Sequence, residues 1–427
     1  MTTKRFILLI ALIVFLTVAL ASCGYTSYIV NAKINDSGEL ILTYSNGTTK
    51  NLGNVVGADG ADGSLVITSD GSSIPAASAK GLRSAVSIVC KFQTTVQIGG
   101  WRPTTTTQEY SSAGSGVIYR MDKTAGDAFI ITNYHVVYDA SSNTKNGISD
   151  DISIYLYGSE IEDKAIKATY VGGSLYYDIA VLRIEDSDII KSSAACETDI
   201  ANSDDVVIGE SAIAIGNPQG YGISASLGVV SVDSEYITMT AADGKTAVSF
   251  RVIRVDAAVN SGNSGGGLYD DKGNLIGIVN AKIVDDGVEN IGYAIPSSVA
   301  VSIAENIIDY CYGTDIERVQ RALLGITVSA SDSKAVYDVN TGLISIEETV
   351  SIYEITSGSL ADGVLRSGDV LVSATINGNT THITRQYHII DMMLDVRVGD
   401  VVTLNILRDG KEQSVSITIT NDCLTAY

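Results

Sequence analysis

One stretch constrains this 427-residue chain more than any other: Asp256-Ala257-Ala258-Val259-Asn260-Ser261-Gly262-Asn263-Ser264-Gly265-Gly266-Gly267-Leu268. Glycines on both sides of Ser264 permit a sharp turn that exposes its hydroxyl. The same turn can aim the N–H groups of Gly262 and Ser264 at one point, which is the arrangement of an oxyanion hole. Read alone, Gly-Asn-Ser-Gly-Gly also fits an ordinary surface turn, so the rest of the chain has to decide. A nucleophilic serine needs a base to take its proton and a carboxylate to orient that base.

Candidates for the base are few. Of three histidines, only His135 lies before residue 382, at the end of the apolar run Phe129-Ile130-Ile131-Thr132-Asn133-Tyr134-His135-Val136-Val137. His382 and His388 are far from these motifs and read as core or surface residues. Asp178 opens the strand-like run Ile179-Ala180-Val181-Leu182-Arg183-Ile184, 43 residues after His135. An acid at the mouth of an apolar strand can be shielded and aimed at an imidazole. Asp139, Asp150, Asp151 and Asp163 lie in polar stretches, where solvation accounts for them. The order His, Asp, Ser is that of chymotrypsin and not of subtilisin or the α/β-hydrolases.

These segments resemble the HtrA/DegP family of serine proteases, and so do Ser115-Gly116-Val117-Ile118, Ala214-Ile215-Gly216-Asn217-Pro218-Gln219-Gly220 and Gly292-Tyr293-Ala294-Ile295-Pro296. Further on, Leu323-Leu324-Gly325-Ile326-Thr327 resembles a PDZ carboxylate-binding loop and its strand. The run from Ser359 through Gly368-Asp369-Val370-Leu371 resembles the PDZ segment before its central strand. The likeness covers roughly residues 82 to 415. It implies a mainly β protein, a chymotrypsin-like double β-barrel followed by an α+β PDZ domain. It also implies Ser264 as nucleophile, His135 as general base, Asp178 as orienting acid, and the Gly262 and Ser264 N–H groups as oxyanion hole. The implied activity is ATP-independent endoproteolysis of unfolded or damaged proteins, by a homotrimer needing no cofactor or metal. Leu324, Gly325 and Ile326 would bind free peptide C-termini. A peptide-binding chaperone or scaffold on the same fold is the alternative.

Specificity is partly legible. Ala258 stands six positions before Ser264, where trypsin-like enzymes that prefer basic residues carry an acid. Without that charge a buried Lys or Arg would be unpaired, so the P1 residue is expected to be small and apolar, against a pocket wall that includes Ile276 and Ile278. Gly267 departs from the family, which commonly has Pro there.

The expected order is a signal segment (1–22), a small hairpin region with a Gly-rich linker (23–80), a protease domain (81–313) and a PDZ domain (320–420). Lys4 and Arg5, an apolar run and Leu20-Ala21-Ser22-Cys23 read as a secretory signal, and the last four resemble a bacterial lipobox in which Cys23 is lipidated. That would put the body on the extracytoplasmic face of the cell membrane. An uncleaved membrane anchor is the alternative. Asn46-Gly47 between β-rich flanks signals a type I′ hairpin, and glycine at every third place over 57–63 signals a flexible linker. Strands begin at Ala85-Val86-Ser87-Ile88-Val89-Cys90, a Thr-rich loop over 99–112 follows, an insertion surrounds 140–151, and a helix over 297–312 closes the protease region.

Two function classes fall away. A net charge of −21 argues against nucleic acid, which needs a basic footprint. Gly220-Tyr221-Gly222-Ile223-Ser224-Ala225 fits a dinucleotide pattern but precedes β-like residues instead of a helix. The five cysteines, Cys23, Cys90, Cys196, Cys311 and Cys423, show no metal-ligand spacing and fit buried small apolar positions.

Overall fold

The computed structural model describes residues 29–35, 39–54, 73–98, 104–159, 164–281 and 291–427. The signal-like run with Cys23, the Gly-rich linker and Trp101 lie outside the described residues. The chain divides into two compact units, Met1–Val66 and Ile67–Tyr427. In the first, β1 (Ile29–Ile34), β2 (Glu39–Tyr44) and β3 (Thr49–Asn54) form an antiparallel sheet in chain order. The β2–β3 hairpin forms where expected, with a different turn. Gly47 alone takes positive φ (79°) in the turn, and its N–H donates to Tyr44 O at 2.9 Å. A type I′ turn needs positive φ at both central residues. Asn46 instead keeps negative φ and spends its side-chain oxygen on the Thr48 N–H (3.0 Å).

In the second unit, α1 (Ile74–Ser84) comes first, across the boundary expected between the N-terminal region (23–80) and the protease domain (81–313). Ser73 caps it by accepting from Ala76 N, and Pro75 fits the first turn. Gly81 brings α1 within reach of Ile215, since a Cβ there would meet the Ile215 Cδ1 at 2.6 Å. The compact unit thus includes residues 73–80, which were assigned to the preceding region.

Two closed antiparallel barrels follow, as the sequence implied. The first runs β4 (Ala85–Ile98), β5 (Thr104–Asp122), β6 (Asp127–Thr132), β9 (Ile179–Ile184), β8 (Ile166–Ser174) and β7 (Asp151–Leu156). The second runs β10 (Ser211–Gly216), β11 (Ser224–Thr240), β12 (Ala247–Val255), β15 (Gly292–Pro296), β14 (Leu275–Val279) and β13 (Gly267–Tyr269). The Thr-rich stretch is mostly strand and not loop: Thr104 to Ser111 pair with Ile98 to Lys91, extending β4 and β5 into a long two-stranded arm. β-branched threonines suit such an exposed ribbon.

Period-two alternation explains the unbroken apolar runs. Along β9, Ala180, Leu182 and Ile184 fill the first barrel, while Ile179 and Val181 join a cluster shared by both barrels. Along β10, Ala212 and Ala214 fill the second barrel, and Ile213 and Ile215 join the shared cluster. Strands buried on both faces read as continuous hydrophobic sequence. Each such Ile contributes about 1.5–3 kcal/mol on burial. A short helix, α2 (Tyr134–Val137), carries His135, and α3 (Ser297–Cys311) packs Ile303 and Ile307 into the shared cluster. The run at 218–225 forms a 3-10 turn leading into β11, so no helix follows it.

The C-terminal region has its own core. β16 (Gln320–Ala322) pairs with β23 (Leu424–Ala426), and β17 (Ile326–Tyr337), β18 (Ile344–Ile355), β19 (Val370–Ile376), β21 (Val401–Arg408) and β22 (Lys411–Thr418) form an antiparallel sheet in that order. A short strand, β20 (Asn379–His382), pairs with β19, and one helix, α4 (Gln386–Met392), completes the region. Arg251 of β12, 2% exposed, ties it to the second barrel: its guanidinium lies 2.8 Å from Asp391 and 4.0 Å over the Tyr387 ring. Burial pushes the Asp391 carboxyl up to about 6 while Arg251 pulls the other way.

Candidate active site

β6 leads through Asn133 into α2, and the loop ending at Asp178 leads into β9, so strand pairing brings His135 and Asp178 together. The Asp178 carbonyl accepts from Asn133 Nδ2 (2.9 Å) and Tyr134 N (3.1 Å). Its carboxylate accepts from His135 N through Oδ1 (2.9 Å) and meets His135 Nδ1 through Oδ2 (2.6 Å). Asp178 is 5% exposed and holds φ at 53°, the left-handed region that side chains avoid. These four hydrogen bonds to the Asn133–His135 segment hold that strained turn in place. Asp139 and Asp151 make other bonds, to Ser141 and to Lys167.

A fourth residue, which sequence reasoning missed, completes this geometry. Asn280, 0% exposed at the exit of β14, donates Nδ2 to Asp178 Oδ2 at 2.8 Å. The available signal was a polar amide directly after the apolar run Leu275-Ile276-Gly277-Ile278-Val279, the mirror of the acid placed directly before one.

Ser264 lies on the second barrel, on the turn between β12 and β13. Ser115 N donates to Ser264 O (2.8 Å), Ser115 Oγ donates to Gly262 O (2.7 Å), and Gln219 N donates to Ser261 O (2.8 Å). The glycines are obligatory here. Gly262 has φ 98°, and a Cβ would meet Asn217 O at 2.3 Å; Gly265 has φ 83°, and a Cβ would meet Ser115 O at 2.2 Å. The N–H groups of Gly262 and Ser264 have no protein acceptor among the described residues. Gly267, where the family commonly has Pro, lies beneath the Tyr269 ring, which a Cβ would meet at 2.4 Å. Tyr269 therefore fills the space that a larger residue would take.

His135 and Ser264 line one cleft of about 520 Å³, with Ser261, Tyr138 and Asp243 among the other walls. No hydrogen bond joins Ser264 Oγ to His135 among the described residues, and such bonds are often longer before substrate binds. The expected pocket wall needs correction. Ile276 (1% exposed) belongs to the core of the second barrel and Ile278 (0%) to the shared cluster, because alternate residues of a doubly covered strand enter opposite cores. Ala258 is exposed, and its carbonyl accepts from Ser226 Oγ (3.0 Å). The residue of this segment that does reach the cleft is Ala281.

Leu324, Gly325 and Ile326 line a separate cavity of about 210 Å³ between β17 and α4, with Arg321, Ile389 and Met393. β17 is an edge strand of its sheet. The N–H groups of Leu324 and Gly325 have no protein acceptor among the described residues. Gly325 has φ 78°, and a Cβ would meet that of Ser359 at 2.1 Å. Cys90 and Cys311 are buried free thiols, each pushed up to about 12 by that burial, whereas Cys196 and Cys423 are free and half-buried.

This fold and cleft define a trypsin-like peptidase, and residues 114–278 match the family model described as a trypsin-like peptidase domain. The chain is 34% identical over 321 residues to the serine protease Do-like HtrA of Lactococcus lactis subsp. cremoris (strain MG1363), covering 73% of this chain and 71% of that one. It is also 34% identical over 319 residues to the serine protease Do-like HtrA of Bacillus subtilis (strain 168), covering 72% and 64%. The chain belongs to the HtrA family of serine proteases. Among solved structures, an HtrA-type protease AlgW with decapeptide shares the fold, with a TM-score of 0.51, 24% identity, and coverage of 83% of this chain and 99% of that one.

Proposed function

We propose that Ser264 attacks the peptide carbonyl, that His135 takes its proton and returns it to the leaving amine, and that Asp178 holds the imidazole in the required tautomer. Gly262 and Ser264 N–H groups stabilise the oxyanion. One observation carries this reading: Asp178 binds both the main-chain N–H and the ring Nδ1 of His135, which turns the other ring nitrogen away from the acid, while Ser264 lines the same cleft. The substrates we assign are unfolded or damaged proteins, cut without ATP.

We read the C-terminal region as a PDZ domain that recognises free, apolar C-termini. The supports are the unpaired N–H groups of Leu324 and Gly325, the edge strand β17 and the apolar groove beside α4. A short reporter peptide that cannot reach this groove tests the coupling. Adding a second peptide with an apolar C-terminus is expected to accelerate reporter cleavage in the wild type, and Ile326→Arg is expected to remove the acceleration. Enhanced cleavage of long substrates alone would indicate tethering. If neither long nor short substrates respond to the groove, its regulatory role is wrong.

We further propose that the lipobox-like segment Leu20-Ala21-Ser22-Cys23, outside the described residues, is lipidated at Cys23 and holds the enzyme on the outer face of the cell membrane. Diacylglyceryl transfer supplies two chains, enough for stable anchoring at about 0.8 kcal/mol per buried CH₂. Cys23→Ser is expected to abolish lipidation and processing. An unchanged mature mass in that variant would refute the anchor.

A further inference from the structure

Ser115, 0% exposed on β5, reaches both halves of the site through its N–H, its carbonyl and its hydroxyl. The carbonyl accepts from Thr132 Oγ1 (2.7 Å), at the end of β6 just before α2 and His135, and the N–H donates to Ser264 O (2.8 Å). The hydroxyl accepts from Asn217 N (2.8 Å) and gives its one proton to Gly262 O (2.7 Å). Gly216 makes the room, since a Cβ there would meet Ser115 Oγ at 3.0 Å and Asn263 Oδ1 at 2.8 Å. One first-barrel residue thus holds two carbonyls of the nucleophile turn, which belongs to the second barrel.

The direction of the Gly262 N–H depends on how its neighbours are held. At φ 98° and with no Cβ, Gly262 restrains itself little, so the peptide planes before and after it need anchors. In the plane before, Ser261 O accepts from Gln219 N (2.8 Å), and a planar trans peptide then sends the Gly262 N–H the opposite way. In the plane after, Asn263 N donates to Asn260 O (2.9 Å) within the same turn, and the Ser115 hydroxyl ties Gly262 O to the first barrel. His135 and Asp178 are carried by connections of that first barrel. We infer that Ser115 is a positioning residue for the reaction: its hydroxyl, buried away from any substrate, keeps the oxyanion N–H groups in register with the imidazole. A misdirected N–H still lets the substrate bind but stabilises less charge in the transition state, so the loss falls on kcat. The inference rests on the reading of the Gly262 and Ser264 N–H groups as the oxyanion hole.

Ser115→Ala, compared with Ser87→Ala, provides the test. Ser87 lies opposite Ser115 on β4, is 2% exposed, and accepts from Asn217 Nδ2 (2.6 Å), but among the described residues it makes no bond to the nucleophile turn. Both variants leave a buried donor without its acceptor and are expected to lower Tm. Only Ser115→Ala is expected to lower kcat on a quenched fluorescent peptide, by about 10- to 100-fold with KM within about threefold of wild type. A peptide boronate, whose tetrahedral adduct with Ser264 places an oxygen in the hole, is expected to bind that variant correspondingly more weakly, while the cleaved product peptide binds as it does to wild type. Should Ser115→Ala fail to fold, Ser115→Cys, with a weakly donating thiol, is expected to lower kcat by at least about fivefold. A kcat within about threefold of wild type in the folded variant overturns the assignment, as does an equal fall in Ser87→Ala. So does equal weakening of the boronate and the product, which would mean a general loosening of the cleft. Failure of the underlying reading looks different, because the boronate would then bind wild type no more tightly than the product.

Discussion

Ser264→Ala is expected to lower turnover by about 10⁶ while leaving the protein folded. The substitution removes one oxygen. The turn around it is held by main-chain groups and by Ser115, through Ser115 N to Ser264 O and Ser115 Oγ to Gly262 O, none of which needs the hydroxyl. The two N–H groups assigned to the oxyanion keep their directions, so a residual rate of about 10³–10⁴ over water is expected from them and from binding. Thermal unfolding should stay close to wild type, since the side chain is small and makes no hydrogen bond among the described residues. Cleavage within tenfold of wild type would remove Ser264 from the chemistry.

Asp178→Asn is expected to cost roughly 10⁴ at neutral pH. The geometry gives the reason. Oδ1 accepts from the main-chain N–H of His135, so an asparagine keeps its oxygen there and must put its NH₂ where Oδ2 stood. That NH₂ then faces two groups that had shared an acceptor, Asn280 Nδ2 at 2.8 Å and His135 Nδ1 at 2.6 Å. Nδ1 can accept from it only in the tautomer that carries its proton on Nε2, where a base needs a lone pair. The clash with the Asn280 donor adds a destabilisation that a simple loss of charge lacks. Asp139→Asn is expected to leave cleavage of a peptide with neutral residues after the scissile bond within a fewfold of wild type, because Asp139 bonds Ser141 and not His135. An essential Asp139 beside a dispensable Asp178 would mean that the acid is misassigned.

Much of this geometry was legible in residue order. The glycines at 262 and 265 announced positive φ and close backbone approach, and both are required by contacts below 2.5 Å that any Cβ would make. Asp178 stood out because it opens an apolar strand, and the strand is buried on both faces. What escaped were pairings between distant segments. Asn280 reaches Asp178 across 102 positions, and nothing local distinguishes it from any other amide at a strand end. The same ambiguity misplaced Ile276 and Ile278: a continuous apolar run signals burial but does not say which of two cores, or which pocket, each side chain enters. Most of α1 fell within the region 23–80 assigned before the protease domain, because its position depends on Gly81 packing on Ile215, a contact only the folded second barrel supplies. The threonines of 104–107 resemble a polar loop until β4 is seen to continue alongside them.

The central claim is that one serine, activated by His135, is the nucleophile. Labelling the purified enzyme with a serine-directed phosphonate and locating the adduct by peptide mass mapping tests it most directly. A single adduct on Ser264, appearing as casein cleavage disappears and absent from both Ser264→Ala and His135→Ala, is the expected result. An adduct on another residue, or labelling of Ser264 that is equally fast without His135, would contradict it.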